Sequence, residues 1–336
     1  MPTDRPDEPH VIVTVTLNAA LDVSYETAKL SWDDTNPVSR MRQRAGGRGV
    51  AVARVLHTFG HEVIAAGLAG GASGEMIRAD LSRSGIAAGF TLIGKESRRV
   101  LDVRDTASGR QLRLIEPGPY ITTEELGRFA ADYRRLLSGA AAVVLCGSLP
   151  IGMPAEVYGT LATYAAEAGV PAILDAGGAA LRYGAARRPA LVIPDPDPAS
   201  EAGADKTGAG GLDPHALVAD GAGAVALLSD HAVRIISHEG HWLATVSQTT
   251  RSAFSRTVNP ALSTPAGRTH PEQMPAWPRD ALVAGLVPGV LLGWSWPDRL
   301  RHAVALGASA AATGEVDLAS YERLVAKVIV RPLPSS

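Results

Sequence analysis

Short apolar runs alternate along the chain with longer segments whose apolar residues recur every three or four positions. HVIVTVTL (10–17) is β-branched and predicts a buried strand. GVAVARVLHTFG (49–60) puts Val52, Val55, Leu56 and Phe59 on one helical stripe and stops at Gly60. EVIAAGLAG (62–70) reads as a strand, and GEMIRADLSRSG (74–85) as a second helix closed by glycine. Thr122 and Glu125 form a capping-box signature at the head of TTEELGRFAADYRRLL. AAVVLC (141–146), PAILDA (171–176) and ALVIP (190–194) have the length and composition of buried strands. PAEVYGTLATYAAEAG (154–169) lies among them, with Pro154 where a first helical turn accepts it. Strands alternating with helices predict a parallel sheet covered on both faces, a three-layer α/β/α core.

Two stretches break this rhythm. VSYETAKL with VSRMRQR, and GFTLIGKESRRVLDVRD with RQLRLI, alternate polar and apolar residues with period two. They read as half-exposed antiparallel strands forming a small sheet, inserted as excursions at about 18–45 and 88–115. Such a sheet makes a lid over the mouth of the core, and its apolar face invites a second copy, so a homodimer through the lid is expected. Asp195 to Gly223, and the stretch around 259–279, are rich in proline, glycine and polar residues and read as long loops. With no internal repeat and no linker, residues 1–336 are read as one domain.

Composition narrows the classes. Hydrophobic residues are 46% and charged residues 20%, enough for a large core, and 32 basic against 34 acidic side chains leave a net charge of −2. No surplus of either sign points to nucleic acid or an anionic membrane surface. The single cysteine, Cys146, permits no intrachain disulfide and no thiolate metal cluster; within AAVVLC it reads as a small core residue, with a nucleophilic role the lesser alternative. The polar, proline-bearing start and the lack of a long apolar run lead to the expectation of a cytoplasmic protein.

The candidate chemistry comes in ordered blocks: TLNAALD (16–22), AGGRGVAVAR (45–54), GGASGE (70–75), ESRRVLDV (96–103), EPGP (116–119), LCGSLPIGMP (145–154), DALVAGL (280–286) and AVALGASAAA (303–312). Taken together they resemble the ribokinase-like sugar kinases, in the 1-phosphofructokinase and tagatose-6-phosphate kinase branch, over about residues 10–333. The resemblance implies an ATP- and Mg2+-dependent kinase for a small phosphorylated ketohexose, fructose 1-phosphate first. It implies that Asp22 holds sugar hydroxyls, that Gly46, Gly47, Arg48 and Gly49 contact sugar and phosphate, that Arg98 (with Arg99 beside it) clamps the substrate phosphate, and that Asp280 is the general base. The chemistry agrees with those residue types. Arginine bonds phosphate bidentately, a carboxylate takes the proton of the attacking hydroxyl, and donors at a helix start stabilise the moving phosphoryl group.

Departures concentrate on the nucleotide side. The glycines expected ahead of Asp280 are replaced by Trp277, Pro278 and Arg279. Pro278 has no N–H, so Arg279 is read as a partial substitute for the lost donors. Asp195 and Pro198 stand where an Asn and, three residues on, a Glu that helps organise Mg2+ are expected, with Asp195 and Asp197 as alternative oxygen ligands. The turn LLSDHAV (227–233) lacks glycine and leaves Ser229 as its candidate contact to nucleotide. On the sugar side Arg48 and Ala51 replace Lys and Asn, and the acidic residue expected just before EPGP is missing. DKTGAGG (205–211) imitates the missing motif by letters but has Gly211 where its carboxylate is expected, with LDPHAL following. HEGH (238–241) reads as a hairpin tip rather than a zinc motif, and LAGGASGE lacks the acidic partner of a dinucleotide fingerprint.

Plainer readings stand beside these: Asp280 as a first-turn helix acid, Asp22 as a turn cap, Arg48 and Arg98 as solvated charges. Two functions follow, an active sugar-phosphate kinase or a kinase homologue that binds a sugar phosphate without efficient ATP turnover.

Overall fold

The computed structural model describes residues 11–195, 213–229, 232–246, 277–313 and 316–334. The segment DKTGAGG and most of the 259–279 stretch lie outside them.

The main sheet is built from β1 (Val11–Thr16), β4 (Val63–Gly70), β5 (Ala87–Ile93), β8 (Ala140–Cys146), β9 (Ala172–Ala176), β10 (Leu191–Pro194), β11 (Ala224–Ser229), β12 (Ala232–Ser237), β13 (Gly240–Val246) and β14 (Val328–Leu333). Among the described residues the strand order is β14-β13-β12-β11-β10-β9-β8-β1-β4-β5. From β5 to β11 every pairing is parallel, whereas β12, β13 and β14 pair antiparallel. The parallel core matches the alternation of strands and helices; β11, β12 and β13 follow one another with no helix between them to force a crossover, and β14 joins the edge antiparallel from far along the chain. HEGH forms the β12–β13 turn, with Ser237 paired to Gly240.

Period-two alternation sends successive strand side chains to opposite faces. Along β1, Ile12 joins one apolar cluster and Val13 and Val15 the other; along β10, Leu191 and Ile193 oppose Val192 in the same way. The first cluster is closed by α1 (Arg48–Thr58), α2 (Gly71–Arg83), α7 (Trp277–Leu291), α8 (Trp296–Thr313) and α9 (Leu318–Val325). The second is closed by α3 (Thr123–Leu137), α4 (Val157–Glu167), α5 (Gly178–Ala185) and α6 (Pro214–Ala219). Three layers result. Burying each Leu, Ile or Val of these faces contributes about 1.5–3 kcal/mol before chain entropy is counted.

Local signals act as read. Val52 and Leu56 of α1 are buried, and α1 stops where Gly60 takes a φ of 83°. At α3 the Thr122 hydroxyl accepts from the Glu125 N–H and the Glu125 carboxylate accepts from the Thr122 N–H, at 3.2 and 2.9 Å. Pro154 lies outside α4: the helix begins at Val157, and the Pro154 carbonyl accepts from the Val157 N–H in the turn before it. Helix α6 falls within the stretch read as continuous loop, capped by Asp213 with Pro214 in its first turn.

The lid is a second sheet, ordered β3-β2-β6-β7, from β2 (Ala20–Thr27), β3 (Val38–Gly46), β6 (Arg98–Asp105) and β7 (Gln111–Ile115). Two expectations are corrected. GFTLIG does not belong to the lid: Phe90 and Ile93 are buried in β5, the parallel edge strand of the main sheet, so the second excursion starts near Arg98 rather than 88. The lid is also not wholly antiparallel, because β2 and β6 run parallel. The chain between them passes through the main sheet and its helices, long enough for a crossover that a hairpin cannot make. The lid is seated on α2. Leu21, Val23 and Ala45 enter the first core cluster, and the Asp80 carboxylate of α2 accepts from the Ala45 N–H at 2.8 Å while pairing with Arg54.

Candidate active site

Two groups of polar side chains form where the lid meets the carboxyl ends of the core strands, the usual ligand position of an open α/β sheet.

The first group is on the lid. Asp22 on β2 lies directly across from Arg44 on β3. A Cβ added to Gly46 would sit 2.3 Å from the Asp22 carboxylate, so only glycine leaves room for that side chain over the turn. Arg98 opens β6 and faces the same side; its Nε donates to the Asn18 carbonyl at 3.2 Å. Burial pushes the Asp22 carboxyl up to about 6, against the attraction of Arg44, Arg113 and Arg98 and with the repulsion of Asp102. Burial likewise lowers the Arg98 guanidinium, which Asp22 opposes. Arg99 points elsewhere, paired with Glu116 at 2.8 Å. Asn18 ties the blocks together. Its Nδ2 donates to Ser148 Oγ at 3.1 Å, and its Oδ1 lies against Gly118, where a Cβ would come within 2.5 Å.

The second group sits at the ends of β9 and β10. The turn at Gly47 (φ 108°) feeds α1 tightly against β1, since a Cβ on Gly47 would strike Thr16 at 2.6 Å and one on Gly49 would come within 2.4 Å of its hydroxyl. That brings Arg48, at the head of α1, to two carboxylates: Nη2 is 2.5 Å from Asp195 Oδ2 and Nη1 is 3.5 Å from Asp175 Oδ1. Arg279, in the first turn of α7, donates through Nη2 to Asp175 Oδ1 at 2.7 Å and to the Pro194 carbonyl at 3.0 Å. Its Nε lies 3.7 Å from Asp195 Oδ1, beyond hydrogen-bond reach. Asp280 follows, 4% exposed.

Electrostatics here are set by burial. Burial raises Asp280 well above the usual carboxylate range, as does neighbouring Asp175, against Arg48 and Arg279. For Arg48 burial works downward, but Asp175 and Asp195 outweigh it and hold the guanidinium firmly charged. Three buried atoms of the group have no hydrogen-bond partner among the described residues: Asp280 Oδ1, Asp175 Oδ2 and Arg279 Nε. A buried polar atom left unpaired is costly, and such atoms cluster where a ligand completes the bonding.

The site residues proposed from sequence therefore divide. Asp22, Gly46 and Arg98 share the lid group. Arg48, Asp195, Arg279 and Asp280 share the strand-end group, so the guanidinium of Arg48 is engaged there rather than beside Asp22. Gly47 supplies the bend between the two groups. Ser229 belongs to neither in the described contacts; it is exposed at the end of β11, and its hydroxyl donates to the Ala232 carbonyl of β12. Sequence reasoning passed over Asp175, Arg44 and Arg113. Asp175 had a legible signal, a lone acid in the otherwise apolar run PAILDA, and is fully buried. The two arginines had none, because only the lid pairing sets them around Asp22. The GGASGE helix start is no anion site: Glu96 already accepts from the Ala72 and Ser73 N–H groups.

A core open at its strand ends, a lid carrying a cationic patch and a buried aspartate at a helix start define a phosphotransferase of the sugar-kinase type. Residues 13–199 match the pfkB family carbohydrate kinase, and the chain belongs to that family. The fold is that of solved relatives. A possible 1-phosphofructokinase from Thermotoga maritima aligns at 20% identity and TM-score 0.78 over 97% of this chain and 100% of its own. The phosphofructokinase-2 of Escherichia coli in complex with fructose-6-phosphate aligns at 23% and 0.75 over 94% and 98%. A tetrameric inhibited form of that enzyme aligns at 22% and 0.75 over the same shares. The α/β core with its separate lid is thus ribokinase-like, as the ordered blocks implied. No helix among the described residues is long and apolar enough to cross a membrane.

Proposed function

We propose that the chain phosphorylates a ketohexose phosphate from ATP, with Asp280 as general base, and that it does so slowly. The observation that carries the reading is Asp280 Oδ1: buried, unpaired among the described residues, and placed at the first turn of α7 beside Arg48 and Arg279. In the reaction the substrate hydroxyl loses its proton to Asp280 as its oxygen bonds to the γ-phosphorus of ATP, and ADP leaves with the bridging oxygen. Burial without a hydrogen-bond partner makes the Asp280 carboxylate a stronger proton acceptor, which suits a general base. Asp22 receives sugar hydroxyls and Arg98 the substrate phosphate. The fructose-6-phosphate complex of the Escherichia coli relative supports a phosphosugar as ligand.

The expected slowness has a local cause. Pro278 offers no N–H at the start of α7, and Arg279 is held back on Asp175 and the Pro194 carbonyl. Losing one preorganised donor costs roughly 10²–10³ in rate. The same facts support the second reading, a phosphosugar-binding homologue without efficient turnover.

Among the described residues Mg2+ finds no protein-held site, and Asp197 and Pro198 lie outside them. Both Asp195 oxygens face guanidinium groups, and no group of three or more potential ligands is present among the described residues, so no step is drawn through a bound metal.

A homodimer through the lid, cytoplasmic location and one domain over residues 1–336 remain part of the proposal. Val38 and Met41, exposed on edge strand β3, support the dimer.

An ADP-release assay over a panel of sugar phosphates, paired with calorimetry for ATP alone, tests the function. Slow ADP release with a ketohexose phosphate is expected. No release, with phosphosugar binding retained, selects the second reading, and binding of neither ligand removes both.

A further inference from the structure

The strand-end group contains two arginines answered by two carboxylates that differ sharply. Asp175 is fully buried, and its Oδ1 takes the 2.7 Å bond from Arg279. Asp195 is 27% exposed, sits just past the end of β10, and rests on Gly177. Its fit is incomplete. Oδ2 reaches Arg48 at 2.5 Å, but Oδ1 stops 3.7 Å from Arg279 Nε, which is left as a buried donor with no hydrogen-bond partner among the described residues. As placed, the Asp195 carboxylate hydrogen-bonds Arg48 and leaves Arg279 Nε unsatisfied.

We propose that Arg48 and Arg279 form a polyphosphate-binding site and that the Asp195 carboxylate is its tethered occupant, displaced when the phosphates of a nucleotide bind. The inference rests on the kinase reading only for the choice of a nucleotide. A phosphate group has three acceptor oxygens and more charge than a carboxylate, so it bridges Arg48 and Arg279 Nε, which Asp195 fails to do. Displacing a partly exposed carboxylate returns it to water at small desolvation cost. Asp175 stays, fixing Arg279 Nη2 so that Nε remains aimed at the ligand. Asp195 is then a competitor of the nucleotide rather than a ligand of its cation.

The test is titration calorimetry with inorganic tripolyphosphate and with ATP, in the absence of divalent cations. Asp195→Ala is expected to bind tripolyphosphate about tenfold more tightly than the parent protein, with a steeper loss on adding salt. Asp195→Asn, which keeps the shape, is expected to move the same way and serves if the alanine variant unfolds. Arg48→Gln should weaken binding in both backgrounds. Unchanged or weaker tripolyphosphate binding by both Asp195 variants overturns the proposal. So does parent ATP binding that becomes tighter with Mg2+ in a manner both variants lose, which would make Asp195 a cation ligand. Tighter tripolyphosphate binding with no ADP release on any sugar phosphate leaves this inference standing and removes the kinase reading; ADP release without the tightening does the reverse.

Discussion

Arg279 Nη2 lies 2.7 Å from Asp175 Oδ1, joining the first turn of α7 to the carboxyl end of β9. The bond determines what the residue ahead of Asp280 does: its guanidinium is turned toward the strand ends, partly buried, instead of into solvent. Because Asp175 is fully buried, removing a cation from it leaves charge in a medium that solvates it poorly.

Arg279→Ala is therefore expected to destabilise the fold by about 3 kcal/mol, less whatever Arg48 recovers. Asp175→Asn, which removes the charge and keeps the shape, should cost less. Urea unfolding of both variants measures the difference. An Arg279→Ala protein as stable as its parent would show that the pair contributes nothing.

On the lid, Arg98→Ala should weaken binding of fructose 1-phosphate by one to two orders of magnitude, the worth of a charge-assisted contact of about 1.5–3 kcal/mol. Binding of fructose should change little. Calorimetry with the two ligands decides it, and equal losses would mean that Arg98 is not the phosphate clamp. Arg99, already paired with Glu116, is the internal control.

Asp280→Asn should abolish turnover while leaving sugar-phosphate affinity within a few-fold. The amide keeps the shape and removes a charge whose burial is costly, so thermal stability should be kept or rise slightly. ADP release at the parental rate from a folded Asp280→Asn protein would remove Asp280 from the chemistry.

Asp22 makes a pH-dependent contribution of definite sign. Its folded value of about 6 exceeds the model-peptide value of 3.8, so between these the native state holds a proton that the unfolded chain has lost. Stability from this group is full below about 4, falls as pH rises toward 6, and is level above, a total of at most about 3 kcal/mol. Asp22→Asn should remove that part of the slope. Melting temperatures of parent and variant across pH 4–7 should converge at the acid end, and parallel curves would show that Asp22 titrates normally.

The sequence by itself determined the layered core, because periodicity and local capping are short-range matters. The β-branched run of β1, the helical stripe of Val52, Val55 and Leu56, and the Thr122–Glu125 box each act within one element. It also determined some of the blocks that border the site, such as TLNAALD after β1 and AGGRG at the head of α1. Only the tertiary structure decided which side chains meet. Period two makes residues 89–94 equally good as lid or as core edge; pairing with β4 chose the core. Arg48 lies next to the glycines that bend under Asp22, yet its long side chain crosses to Asp175 and Asp195, far away in the chain. Asp175 becomes an anchor only because β9 ends between the starts of α1 and α7. Arg44 and Arg113 surround Asp22 only because β3 and β7 pair in that register. A strand or helix is specified by neighbours a few residues apart, whereas a buried charge is defined by whatever the whole fold brings within a few ångströms of it.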